Sequence, residues 1–415
     1  MFRYPEFDDN LLAQAEEAEQ ALKPTSDRIN FISEANQYKV LKAFQKNKVT
    51  ESHLGSTSGY GYNDSGRECL EQIYADIFHT EDALVRPQIT CGTHAIYLSM
   101  QANLLPGDEI LFISGMPYDS LKTSIGIEAS PCSLAEYGVT WKVVELKNEC
   151  EFDFDEIKKA ISEKTKMVAI QRSKGYKTRE SLSAKQIGEA CAFVKSIKPD
   201  VIVNVDNCYG EFVELEEPTD YGVDLCVGSL IKNPGGGLAP IGGYIVGKKE
   251  YVERCAYRLT SPGLGKEVGA TLGVLKSLFM GLSFAPGIVA NALKNAHFAA
   301  YMFEKKGYKT YPASDAVHHC IVQAIEFGTP EKVNAFCAAI QQSSYVDSFV
   351  RPEGWDMPGY QDNVIMASGS FISGSSIEIS ADGPLREPYV VYFQGGLTFE
   401  QGKYAILSAL NSQNF

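Results

Sequence analysis

The chain of 415 residues contains no CxxC pair, no internal repeat and no low-complexity tract. Its ten cysteines, Cys69, Cys91, Cys132, Cys150, Cys191, Cys208, Cys226, Cys255, Cys320 and Cys337, are scattered and mostly sit among apolar neighbours. That spacing argues against a disulfide framework and reads as reduced, buried thiols in the cytoplasm. His318-His319-Cys320 is a poor metal site, because adjacent side chains on a strand point to opposite faces, and no metal is expected. The opening, Met1-Phe-Arg-Tyr-Pro-Glu-Phe-Asp-Asp-Asn10, has no basic stretch followed by an apolar one, so no signal peptide is expected. The most apolar long segment, Ser277 to Leu293, contains Gly281, Pro286 and Gly287. It is shorter than the roughly 20 residues a bilayer span needs, so a buried helix pair and no membrane are expected. Positive charge is also scarce: 38 Lys and Arg against 52 Asp and Glu give a net charge of −14. Such a surface repels phosphate backbones and argues against nucleic acid as a partner. It says nothing about an anionic cofactor, which local donors can hold against the global field.

Charged residues make up 22% and hydrophobic residues 44%, as in a soluble globular protein. At about 100–200 residues per domain, two or three units are expected. Leu11 to Leu22 is amphipathic and Asp27 to Asn47 carries apolar residues at helical spacing, so residues 1–50 read as a helical segment. A Gly/Ser/Tyr-rich stretch, Gly55 to Arg67, is too polar for a core and reads as a functional loop.

From about residue 68 the pattern alternates. Helices are expected at 68–78, from Thr93, at Asp153–Ser162 and at Ser183–Ile197. Strands are expected at Ala83–Ile89, Glu109–Ser114, Val139–Leu146, Lys166–Gln171, Val201–Asp206, Asp224–Ser229 and Gly242–Val246. Apolar strands alternating with helices predict an α/β fold with a mostly parallel, doubly wound sheet. Helical character dominates 265–305. Beyond about 310 the pattern is mixed, with short strands at Ser376–Ser380 and Tyr389–Phe393. The expected division is a large domain over 51–290 and a smaller α+β C-terminal domain over 291–415.

Doubly wound sheets place ligands at the C-terminal ends of their strands, and three segments end strands with reactive residues. In Val201-Ile-Val-Asn-Val-Asp206 an acid closes an apolar strand. Its alternatives are a helix N-cap or a Mg²⁺ ligand. In Gly228-Ser229-Leu-Ile-Lys232-Asn-Pro-Gly-Gly-Gly237 a lysine follows an apolar strand and precedes three glycines that let backbone approach a ligand. Its alternative is a lysine paired with a carboxylate. In Ile89-Thr-Cys-Gly92-Thr93-His94 a glycine opens a helix, whose N-terminal N–H groups bind phosphate. An amine, a carboxylate and a phosphate cradle are what pyridoxal phosphate requires. A Ser-x-x-Lys hydrolase built on Ser229 and Lys232 lacks its companion Ser-Asp-Asn and Lys-Thr-Gly elements.

The sequence resembles fold type I pyridoxal-phosphate enzymes of the Cys/Met metabolism group (the aspartate-aminotransferase-like fold). More narrowly, it resembles the methionine γ-lyase-related family known as aluminium-resistance or cystathionine β-lyase-like proteins. The stretches that carry the resemblance include Tyr60-Gly-Tyr-Asn-Asp-Ser-Gly-Arg67, Met116-Pro-Tyr-Asp119, Ile170-Gln-Arg-Ser-Lys-Gly-Tyr176 and Val205-Asp-Asn-Cys-Tyr-Gly-Glu-Phe212. The Lys232 and Gly92 segments, Met357-Pro-Gly-Tyr360 and Ser380-Ala-Asp-Gly-Pro-Leu-Arg-Glu-Pro-Tyr389 complete it.

The resemblance implies a Schiff-base lysine at Lys232, a pyridine-nitrogen partner at Asp206, and phosphate contacts from Gly92, Thr93 and Ser229. It further implies that Tyr118 stacks on the cofactor ring and assists a thiolate leaving group. The family's Tyr-x-Arg phosphate element reads Tyr60-Gly61-Tyr62 here, with Arg67 the nearest arginine. Tyr62 is the phosphate candidate, and Arg67 either joins it or serves a structural ion pair. That loop reaches a neighbouring subunit in related enzymes, which implies a homodimer or homotetramer with shared sites. Arg386 is expected to hold the carboxylate of a small amino-acid substrate; Arg172 either binds substrate instead or lies over the cofactor, and a buried structural pair is the alternative for each. The activity implied is β- or γ-elimination on cystathionine, cysteine or methionine. Aminotransfer and a pyridoxal-binding role in metal tolerance are the alternatives.

Overall fold

The computed structural model describes residues 4–357, 360, 362–412 and 415; Pro358 and Gly359 of the Met357–Tyr360 stretch lie outside them. The chain opens with α1 (Asp9–Ala21) and α2 (Lys23–Lys46). Asp8 caps α1 by accepting the Leu11 N–H at 2.7 Å, satisfying one of the donors that a helix start leaves free.

The large domain follows as α3 (Ser65–Ile77), β1 (Asp82–Arg86), α4 (Gly92–Asn103), β2 (Glu109–Phe112), α5 (Asp119–Ile125) and β3 (Thr140–Val143). It continues as α6 (Phe154–Ala160), β4 (Thr165–Gln171), α7 (Ala184–Ile197), β5 (Ile202–Asp206), β6 (Leu225–Ser229), β7 (Gly243–Gly247) and α8 (Lys249–Leu259). These seven strands form one sheet in the order β1-β7-β6-β5-β4-β2-β3. β7 runs antiparallel to both its neighbours and the remaining pairs are parallel. Successive side chains of a strand face opposite sides, and here both sides are apolar. Val203 and Val205 of β5 pack into one core with Ile187 and Val194 of α7. Ile202 packs into the other, with Ile96 and Leu98 of α4.

The remainder is α9 (Leu275–Glu304), β8 (Lys309–Tyr311), β9 (Gln323–Glu326), α10 (Pro330–Gln342), β10 (Val364–Ala367), β11 (Ser380–Pro384), β12 (Val390–Gln394) and α11 (Phe399–Asn411). Its five strands pair antiparallel in the order β10-β11-β12-β9-β8. Residues of α1, α9, α10 and α11 close one face of that sheet around Phe303, Phe336 and Phe393.

Three sequence expectations are corrected. Ser277–Leu293 lies within one 30-residue helix, α9, and not in a helix pair. Pro286 removes one helical donor, but Leu278 and Leu282 anchor the helix in the large-domain core and Met302 and Phe303 anchor it in the small one. The 290/291 boundary therefore falls inside a helix shared by both units. By length and composition α9 could cross a membrane, yet more than half of its apolar window is buried within the protein. Within residues 265–274 the only helix is a 3₁₀ turn at Gly265–Glu267; Gly265, Gly269 and Gly273 take positive φ there. The segment pairs with the 57–64 loop, Gly269 N–H donating to the Tyr60 carbonyl at 2.9 Å. The strand expected at 376–380 begins only at Ser380, because the Glu378 carboxylate accepts the Phe371 and Ile372 N–H groups and holds the preceding residues in a turn.

One close approach ties the long helix to the site. Gly281 of α9 lies against the turn after Lys232, so closely that a Cβ at 281 would be 2.1 Å from the Gly235 carbonyl oxygen. Gly281→Ala should destabilise the protein by about 1–3 kcal/mol, the usual cost of forcing atoms into a filled space. A thermal melt should show the loss, and an unchanged melting temperature would mean the contact is relieved elsewhere.

Candidate active site

β4, β5 and β6 end together, and their register decides what faces the ligand. Asp206 closes β5 opposite Gln171 of β4 and Val227 of β6. Strand parity then places Gln171, Asp206 and Ser229 on the face covered by α4. Lys232 follows three residues after β6. All four line one cavity of about 400 Å³, together with Cys91, Gly92, Thr93 and Tyr118.

Lys232 is half-buried, and its Nζ lies 3.9 Å from the centre of the Tyr209 ring. Burial opposes charge on this amine, but Cys208, Tyr209 and Asp206 overcome that effect and hold the ammonium well above its ordinary range. Burial raises the Asp206 carboxyl, against which Lys232 and the Cys208 N–H, donating at 3.1 Å, favour the charged form. Tyr209 takes a left-handed backbone (φ 73°), a conformation that costs a non-glycine residue about 1–3 kcal/mol. The carbonyl of Tyr209 accepts the Ile321 N–H at 3.2 Å, which joins this turn to the small domain.

One end of the cavity is the start of α4. First-turn N–H groups have no partner within a helix. Cys91 Sγ takes that of His94 at 3.4 Å, while Gly92 and Thr93 line the cavity. A Cβ at Gly92 would stand 3.3 Å from both Cys208 Sγ and Ser229 Cβ, so a larger residue would crowd this end. The Tyr118 hydroxyl donates to Thr93 Oγ1 at 3.1 Å. Burial, and then Asp206, push the Tyr118 phenol well above its usual value, so it is a neutral donor at physiological pH.

Three expected residues stand elsewhere. Arg172 does not lie over the cavity. It is fully buried on the opposite face of the sheet, bonded to Glu214 at 2.6 Å, Asn207 at 2.7 Å and Glu217 at 3.3 Å. Arg67 is also buried, at 1% exposure. Its guanidinium donates to the carbonyls of Gly61 and Gly269 at 2.8 Å and of Glu267 at 3.4 Å, clamping two loops, and does not line the cavity. Tyr62 is exposed and stacked on Tyr60 (5.4 Å between centres), outside the cavity of its own chain. Arg386 does border the cavity, half-exposed, and bonds Asp362 at 3.1 Å.

The structure adds residues that the sequence reading missed. Lys174 also lines the cavity; burial pulls its amine down to about 8, and it donates to the Tyr311 carbonyl. Tyr176, Tyr360, Asp382 and Tyr392 form the opposite wall, mostly from the small domain. Tyr176, Tyr360 and Asp382 sat inside stretches already singled out by resemblance, but Tyr176 and Tyr360 lie outside strands, where parity gives no orientation, and the turn formers around Asp382 hid its strand.

A family model described as methionine gamma-lyase matches residues 11–414. The chain belongs to that family. The uncharacterised protein YnbB of Bacillus subtilis (strain 168) is 48% identical over 400 residues, covering 96% of this chain and 95% of that protein. A solved carbon–sulfur lyase involved in aluminium resistance, from Clostridium novyi NT, superposes with a TM-score of 0.94 at 46% identity, covering 98% of this chain and 96% of that one. At 17% identity the pyridoxal-5'-phosphate dependent protein YhfS from Escherichia coli shares the fold, with a TM-score of 0.60 over 91% of this chain and 95% of its own. The family member described here thus has the mostly parallel sheet expected from its strand pattern and the type I fold that the resemblance implied.

Removing the Arg172 guanidinium should act on stability and not on substrate affinity. Arg172→Ala leaves the Glu217 carboxylate, 0% exposed, without its cation, at a cost of about 3–5 kcal/mol. Chemical denaturation should report that loss, while the KM of the protein that remains folded stays near the parent value. A tenfold rise in KM at parental stability would return Arg172 to the substrate.

Proposed function

We propose that the protein is a pyridoxal-phosphate-dependent carbon–sulfur lyase that eliminates a β- or γ-thiolate from a sulfur amino acid such as cystathionine, cysteine or methionine. One observation carries the reading: an amine and a carboxylate end neighbouring parallel strands on one cavity, with a glycine-opened helix N-terminus beside them. These residues fit the cofactor. Lys232 is the amine for its aldehyde, Asp206 the anion for its pyridine nitrogen, and the N–H groups of Gly92 and Thr93 with the Ser229 hydroxyl are donors for its phosphate. When bound, the cofactor supplies an electron sink that makes the substrate Cα–H acidic and a neighbouring carbon–sulfur bond cleavable.

The chain's own groups do the remaining work. Lys232 would hold the cofactor and supply the amine that moves the substrate Cα proton. Asp206 keeps the pyridine nitrogen protonated, which burial among apolar strands favours by strengthening the attraction between opposite charges. Tyr118 would pack against the cofactor ring and, as a neutral phenol, could protonate the departing thiolate. Arg386 is placed to hold the substrate carboxylate, since its planar fork suits two parallel hydrogen bonds. Tyr62, exposed on its own chain, is available to a phosphate in a second copy, so the working unit is a homo-oligomer. The unpaired state of all ten cysteines supports a cytoplasmic setting.

Purified protein should carry visible absorbance from bound cofactor and release thiol, ammonia and 2-oxo acid from at least one of cystathionine, cysteine and methionine. Lys232→Ala should abolish both signals. Full visible absorbance in the variant would remove Lys232 from its role. Bound cofactor with no thiol release from any of the three would refute the lyase reading, and its conversion to the amine form by an amino donor would indicate aminotransfer.

A further inference from the structure

The wall facing Lys232 holds a carboxylate that the proposed chemistry does not use. Asp382 sits in the middle of β11, opposite Tyr392 of β12 and Met366 of β10. It is 6% exposed and lines the cavity. Its side-chain hydrogen bond comes from a neutral donor, the Gln394 amide at 3.0 Å, and the Tyr176 phenol on the same wall favours the charged form. Among the described residues no lysine, arginine or histidine lies within ion-pair distance of it. The cation that acts on it is Lys232. Burial lifts this carboxyl to about 6, so it is still ionised at neutral pH.

A buried charge without a resident counterion is costly, and buried titratable groups of this kind gather at functional sites. The other charges around the cavity are already engaged. Asp119 holds Lys122 at 2.5 Å. Lys174 and Lys177 donate to backbone carbonyls, Arg179 to three of them, and Arg386 to Asp362. Asp206 has the pyridine nitrogen in the proposed chemistry, and Lys232 is then committed to the cofactor. That commitment leaves Asp382 without a cation.

Its surroundings suit one. The Tyr176 ring stacks on Tyr392 with centres 5.0 Å apart and meets Tyr360 at 5.6 Å. Tyrosine faces attract ammonium and sulfonium groups, more strongly where water is excluded. A second chamber of about 340 Å³ opens past Tyr176 and Tyr392, giving room for the far end of a long side chain.

We infer that Asp382, framed by Tyr176 and Gln394, is the specificity determinant that selects amino acids whose side chain carries a positive charge, an ammonium or a sulfonium, over neutral ones of the same length. The inference rests on the proposed function in taking an amino acid as the ligand.

Matched pairs test it by binding. Holoenzyme is titrated with S-methylmethionine against methionine, and with lysine against 2-aminoheptanoic acid, following the change in cofactor absorbance. The cationic member of at least one pair should bind about tenfold tighter or more, the discrimination expected when a buried polar site is left unpaired by the wrong ligand. A preference in the first pair alone identifies a sulfonium site and in the second alone an ammonium site; either supports the inference. Asp382→Asn should erase the preference, and Asp382→Glu should keep part of it. Equal binding within both pairs by the parent protein, or a preference that survives in Asp382→Asn, overturns the inference. If the purified protein shows no cofactor absorbance before any ligand is added, the lyase reading has failed separately. Calorimetry with the same pairs, on parent and Asp382→Asn, then decides the selectivity by the same criteria.

Discussion

The parallel pairing of β5 with β6 is the constraint from which the site follows. Asp206 lies level with Val227, so the carboxylate and the lysine five residues beyond Val227 emerge at the same edge. A slip of one residue in either strand would turn Asp206 or Ser229 to the opposite face, because side chains alternate with a period of two. The slip is resisted on both sides. Val203 and Val205 would trade cores with Ile202 and Asn204, and each misfitted side chain would cost about 1–3 kcal/mol. The chemistry is thus held in place by apolar residues that never touch it.

Strand parity also explains what could and could not be read beforehand. The central strands are apolar on both faces and closed by helical patterns, so their order and type were visible. Arg172 was misplaced although the needed signal was present. Gln171 pairs with Asp206, so the next residue must face the other way, toward Glu214 and Glu217. Arg67 gave no such signal, since its partners are backbone carbonyls of a loop 200 residues away. β11 was the hardest element. Ser380-Ala-Asp-Gly-Pro384 is made of turn formers, yet it is an interior strand with every residue buried. Only its neighbours β10 and β12 make it a strand, and a local pattern cannot report them.

The site is therefore divided by origin. The large domain supplies the amine, the carboxylate and the helix N-terminus on one rigid sheet edge. The small domain supplies Asp382, Tyr392 and Arg386, which face that edge across the cavity. α9 runs through both units, and its Gly281 presses on the turn that follows Lys232. In the proposed function, reaction chemistry belongs to the first set and choice of substrate to the second, which is how one fold serves several activities.

Two lysines border the cavity, and the account depends on which one holds the cofactor. Lys174 has the lower amine pKa, about 8, but its Nζ is bonded to the Tyr311 carbonyl. Lys232 stands at the Asp206 edge. Borohydride reduction of the purified protein, followed by peptide mass mapping, fixes a pyridoxyl group on whichever amine carries it. The mass should appear on the peptide containing Lys232; its appearance at Lys174, or at neither, would contradict the account.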